Sequence, residues 1–167
     1  MNGELALASE IKQMTLNMYS YVQKNGWDIP KEALNSEVLS FIFTKRQLSD
    51  LRKVCIINGV ECPNIKGITL KIRDFHKALK TRIEHDHLTA ENVGEMLAKT
   101  YSTKSLVRDN ESYAAQGFLL NSKEKLSFNP EKGFYGLAVL SVEEDKVVQV
   151  TSYHTNKNKA EAISNNI

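Results

Sequence analysis

Residues 147–157 read VVQVTSYHTNK, a stretch that begins as a core β-strand and ends in hydroxyls, a phenol and an imidazole. A strand's period of two sends Val148, Val150, Ser152 and His154 to one face. Val147, Gln149, Thr151, Tyr153 and Thr155 go to the other, where they form a polar ladder. An antiparallel sheet with one solvated face produces such ladders routinely. The alternative is that this face walls a cleft for a polar, anionic substrate. Either way, residues 147–154 need a partner strand on their N-terminal side.

That partner is Phe134–Val142. It is strand-like and separated from Val147 by the acidic turn Glu143-Glu144-Asp145, so the two segments are expected to pair as an antiparallel hairpin with Val139 and Val150 inside. Working back, Asn129-Pro130 with Gly133 marks a turn, and Lys125–Phe128, Tyr113–Leu120 and Ser105–Arg108 are further candidate strands.

Upstream the period changes to helical. Ile68, Ile72, Phe75, Leu79 and Ile83 predict a helix reaching about His85, and Thr89 caps a second that carries Val93, Met96 and Leu97 and ends near Tyr101. Ala8, Ile11, Met14, Met18 and Val22 predict a helix over residues 4–24. Pro30 opens another whose stripe is Leu34, Val38, Phe41 and Ile42, and Thr44 with Gln47 forms a capping box ahead of Leu48, Leu51 and Val54. Residues 1–63 therefore read as a mostly helical subdomain forming its own layer, and residues 64–160 as an α+β domain of two helices and a four- to five-stranded antiparallel meander. The last dozen residues either fray or form one short helix.

Composition bounds the function classes. The chain has 167 residues, 41% hydrophobic and 25% charged, a balance that supports a substantial core. A formal net charge of +2 does not announce nucleic-acid binding, though a local basic groove is compatible with it. Cys55 and Cys62 match no common zinc spacing and read as reduced thiols, one buried and one near a turn. No apolar run is long enough to span a bilayer, and the N-terminus lacks a secretory signal pattern, so the expectation is a cytoplasmic protein without a membrane partner. No Gly-rich phosphate loop precedes a helix.

All four histidines, His76, His85, His87 and His154, follow residue 75. His76 flanks an apolar helix face, where packed histidines are common. His85 and His87 bracket Asp86 at an expected helix end, where a cationic imidazole is favoured by the dipole. The acid–base reading competes with both accounts, because imidazole titrates near neutrality. Lys71, Arg73, Lys77, Lys80 and Arg82 share the His76 helix, which is poor in acids up to Ile83. Such a face is either simply solvated or suited to a phosphate backbone.

A histidine-bearing helix, then LTAENVGEMLAK at residues 88–99 as a second helix, then a meander closing on VVQVTSYHT, resembles the phage- and toxin-associated ribonucleases of the barnase–EndoU–colicin–RelE (BECR) superfamily over about residues 68–157. The resemblance implies a metal-independent endoribonuclease that cleaves RNA, tRNA among the candidates, by 2′-hydroxyl transesterification with no cofactor. It carries the acid–base roles to His85 and His76 and the phosphate-orienting roles to Thr151 and Tyr153. Lys125, Arg108 and Lys80 would bind the phosphate. Residues 1–63 would then engage a cognate inhibitor or partner protein. A second class is a non-catalytic interaction protein: an immunity protein, an antitoxin, a phage-encoded inhibitor or a degenerate BECR domain. The near-neutral charge favours that class, since many free ribonuclease toxins are clearly basic. The ribonuclease reading requires a helical histidine to face Thr151 or Tyr153 across one cleft.

Overall fold

The computed structural model describes residues 3–110, 117–143 and 146–165, with no side chain described for residues 3–5. Helix α1 (Gly3–Asn25) ends where Asn25-Gly26 turns the chain, Gly26 adopting φ +82°. A single helical turn, α2 (Lys31–Leu34), precedes strand β1 (Glu37–Ile42). Helix α3 (Lys45–Ile57) begins at the expected capping box, in which Thr44 and Gln47 satisfy each other's backbone N–H groups. Strand β2 (Gly67–Lys71) leads directly into α4 (Ile72–Asp86), and α5 (Ala90–Thr100) starts at the expected Thr89 cap, which Asn92 completes into a capping box. The chain then lays down β3 (Leu106–Asp109), β4 (Gly117–Lys125), β5 (Tyr135–Glu143) and β6 (Lys146–Thr155), and α6 (Lys157–Ser164) follows.

The α+β class holds: strands β3-β4-β5-β6 form a four-stranded antiparallel sheet in sequence order. The expected hairpin of residues 134–142 and 147–154 is β5 paired with β6, although residues 144–145 of its turn lie outside the described residues. The expected strand at residues 113–120 is described only from Gly117, where β4 begins. Residues 125–128 form no strand of their own, Lys125 being the end of β4.

Two corrections concern the N-terminal half. Residues 37–42, read as the end of a helix, form β1, which pairs antiparallel with β2, itself read as the first turn of the following helix. Leu34, Val38, Phe41 and Ile42 satisfy a helical spacing, but the β-branched and aromatic content of EVLSFI suits an extended chain equally well. Pairing decided between the two, and it joins segments on either side of residue 63. The N-terminal helices also form no separate layer. Helix α1 lies on α5, with the Gly94 Cα close enough to α1 that an added Cβ would sit 3.4 Å from the Lys12 Cα. Ile11, Phe41, Leu51, Phe75, Val93 and Leu120 all belong to one buried core. The opposite face of the sheet carries a smaller apolar cluster of Leu119, Leu137 and Val139, against which Tyr153 and Ile163 pack. Among the described residues no helix is long and apolar enough to cross a membrane.

Candidate functional site

The geometry of the site follows from one irregularity in β6. On β5, Val139 pairs with Thr151 while the next residue, Leu140, pairs with Gln149, so Val150 is an extra residue opposite no partner. A β-bulge of this kind reverses the face alternation beyond it. Val147 and Gln149 point into the main core, and past the bulge that face continues as Ser152 and His154, opposite Ala138 and Gly136. Val150, expected inside, is 38% exposed, whereas Val139 is buried as expected. Lys77 of α4 donates a hydrogen bond to the Val150 carbonyl, supplying the partner that the bulge removed.

The bulge also splits the expected polar ladder. Gln149 is turned inward, where its Oε1 accepts a 2.5 Å hydrogen bond from the buried Tyr101 hydroxyl. Burial pushes the Tyr101 phenol well above its usual range, with the Asp74 carboxylate adding to the effect, so the group remains a neutral donor. Thr151 and Tyr153 share a face with Val139 and Leu137, under α6. There Lys159 lies 5.1 Å from the Tyr153 ring centroid and 3.4 Å from its hydroxyl.

Helix α4 packs against the other face of β6. Contacts at both ends fix its direction: Lys77 meets Val150, and Asp86 lies 3.9 Å from His154 Nδ1. Nine residues of helix and four of strand each span about 13 Å, so the two elements run side by side and parallel. His76 and His85 thus belong to the helix that meets His154, whereas Thr151 and Tyr153 pair with Val139 and Leu137 on the opposite face, an arrangement that does not favour the convergence the ribonuclease reading requires. His76 Nε2 donates to the Trp27 carbonyl at 2.7 Å, and its ring meets the Trp27 ring edge-on at 5.4 Å. His85 is exposed in the last turn of α4, and His87 closes that helix in the left-handed conformation at φ +57°. Arg108 is not a surface cation. It is buried, donating to the Ser164 and Val107 carbonyls at 2.8 Å and to Asp50 at 3.3 Å. Lys80 and Lys125 are exposed, the first on α4 and the second at the far end of β4.

What the fold does assemble is a seam between α4 and β6. At its upper end, a groove of about 320 Å³ is lined by Arg73, His76 and Lys77 from the helix and by Val148, Gln149 and Val150 from the strand. Two carboxylates join them, Glu143 and Asp74. Asp74 is mostly committed to structure: it accepts from the Lys71 N–H at 2.7 Å, and burial raises its pKa despite that bond. Arg73, Lys77 and Lys80 occupy positions i, i+4 and i+7, one exposed stripe of three cations beside the groove. At the lower end, Arg82 donates to Asp86, and the His154 ring is walled by Phe134 at 4.6 Å and Phe128 at 6.0 Å. Burial depresses the His154 pKa, with the Arg82 charge adding to that and Asp86 opposing it. The 3.9 Å approach of Asp86 is an ionic distance and not a hydrogen bond, leaving His154 Nδ1 without a partner. Arg82 Nε and Ser152 Oγ are likewise buried without one.

Chemically, the upper groove can hold an anionic group between guanidinium and ammonium donors. Its imidazole is engaged at Nε2, and His85 lies about 13 Å further along the helix, so the two helical histidines do not flank one phosphorus atom. Sequence reasoning counted Arg82 among the helix cations but gave Asp86 and Ser152 no part in the site. The i, i+4 spacing of Arg82 and Asp86 was legible, but the bulge that brings Ser152 and His154 to face α4 was not. No protein-family model, curated protein or solved structure matches this chain.

Proposed function

We propose that this chain is a non-catalytic interaction protein that binds a polyanion, RNA in the first instance, along the cationic stripe of α4. The supporting observation is the separation of the expected catalytic groups: Thr151 and Tyr153 lie on the α6 face of β6, while His76 and His85 belong to the helix on the other. RNA transesterification needs proton transfer at two oxygens around a single phosphorus, and a domain without that convergence can hold RNA but hardly cut it. Arg73, Lys77 and Lys80 supply the charge for holding it. A degenerate BECR domain, an antitoxin or a phage-encoded inhibitor all fit this class.

The test is to incubate the purified protein with total RNA, with and without EDTA, and to measure binding of a labelled single-stranded RNA by anisotropy across a salt series. The expected result is no cleavage and salt-sensitive binding that Arg73→Glu with Lys80→Glu abolishes. In the single variants, each phosphate that is no longer neutralised should flatten the log–log salt slope by about 0.7. Binding unaffected by the double charge reversal would refute the stripe.

A second reading, a metal-independent endoribonuclease of toxin or phage type, is favoured by the three buried atoms without partners, Arg82 Nε, Ser152 Oγ and His154 Nδ1, on the seam. Unmet hydrogen-bonding capacity of this kind is a feature of catalytic centres as well as of buried water sites. EDTA-resistant cleavage that is lost in His154→Ala or His85→Ala would establish this reading and overturn the first.

A further inference from the structure

A second cavity lies away from the seam. It measures about 690 Å³ and is bounded by the end of α3, the loop that follows it, and the Gly117–Phe118 and Ser141–Glu143 backbones. Both cysteines of the chain line it, and both are free. Cys55 is buried on the last turn of α3, and Cys62 is half-buried in the loop.

Their juxtaposition is built by the sequence between them. Gly59 adopts φ +65°, a conformation glycine reaches without steric cost. Its N–H donates to the Ile56 carbonyl at 3.1 Å, and the Val60 N–H donates to the Cys55 carbonyl at 3.0 Å. These two bonds form a Schellman turn, which reverses the chain over the helix end. The carbonyl that anchors the turn belongs to Cys55, so residues 60–62 are folded back over that residue. Across this turn Cys62 and Cys55 line the same cavity.

From this arrangement we infer that Cys55 and Cys62 are a peroxide-responsive dithiol that closes to an intrachain disulfide. The two sulfurs are not equivalent. Burial, reinforced by Cys62, pushes the Cys55 thiol up to about 11, which at neutral pH leaves roughly one molecule in 10⁴ as thiolate. Cys62 is the more accessible sulfur and attacks first. Its thiolate takes one oxygen of hydrogen peroxide, the O–O bond breaks, and with one proton the products are a sulfenic acid and water. The Cys55 sulfur then attacks the Cys62 sulfur, the S–O bond breaks, and the hydroxyl leaves with the Cys55 proton as a second water. Two thiols and one hydrogen peroxide thus give one disulfide and two waters. The product ties the returning loop to the helix end and closes one wall of the cavity.

The experiment treats the full-length protein with a few equivalents of hydrogen peroxide, alkylates remaining thiols under denaturing conditions and maps the peptides by mass spectrometry. The expected result is loss of both alkylation sites, an intact mass lower by about 2 Da, and full recovery of both sites with dithiothreitol. Cys55→Ser should convert the product to a sulfenic or sulfinic acid on Cys62, and Cys62→Ser should leave Cys55 unoxidised under the same treatment. Wild-type protein that accumulates sulfinic acid on Cys62 with Cys55 still alkylable would overturn the inference. So would a disulfide-linked dimer on a non-reducing gel, or two thiols left untouched.

Discussion

Replacing Arg108 with Met separates a structural role from a nucleic-acid role for a residue that sequence reasoning assigned to phosphate binding. Its side chain is only 10% exposed and lies against Asp50, which is 11% exposed, with Nη1 3.3 Å from Asp50 Oδ2. It also donates to the carbonyls of Ser164 and Val107, tying β3 to α3 and α6. Methionine fills a similar volume but leaves the Asp50 carboxylate with Lys53 as its remaining ion-pair partner, 3.8 Å away on a side chain 61% exposed and so largely screened by solvent. Removing one member of a buried pair costs about 3–5 kcal/mol when the other is left uncompensated, and the partial help from Lys53 places Arg108→Met near the lower limit, roughly 3 kcal/mol. At about 2–4 °C per kcal/mol for a chain of this size, the Tm should fall by about 6–12 °C. Urea unfolding monitored by circular dichroism would measure this, with Arg108→Met combined with Asp50→Leu as the second arm. The double variant should recover much of the stability, since the stranded charge is gone. An Arg108→Met protein with the wild-type midpoint but no RNA binding would refute the reasoning and return Arg108 to the ligand surface.

Three further outcomes rest on individual side chains. Gly136→Ala places a Cβ 2.2 Å from Thr100 Oγ1 and 2.9 Å from the Met96 carbonyl, so β5 and α5 must move apart. A destabilisation of about 1–3 kcal/mol is expected by chemical denaturation, and Thr100→Ala should relieve only part of it because the second clash is with backbone. His154 has a folded pKa below its unfolded value of 6.5, so the unfolded chain binds the proton first and stability falls as pH drops below about 6.5. His154→Phe should flatten that part of a Tm-against-pH profile. His85→Ala, at an exposed helix end, should shift stability by less than about 0.5 kcal/mol, which makes it a clean control in the RNA assays.

Elements whose signals are local were legible in the chain. The capping box at Thr44 and the N-cap at Thr89 form as expected, because a cap needs only residues three apart. The β5–β6 hairpin and the helix of residues 4–24 were readable because their signals also lie close together in the chain. Long-range pairing settled the rest. Whether EVLSFI became helix or strand depended on a partner strand some thirty residues away, since β-branched and aromatic residues accept either state and only ladder hydrogen bonds distinguish them. Whether Gln149 and Tyr153 shared a face depended on a single unpaired residue, Val150. A period of two has no memory of a skipped register, so one bulge, satisfied by a lysine from α4, divided the polar ladder between a buried hydrogen bond and the opposite surface.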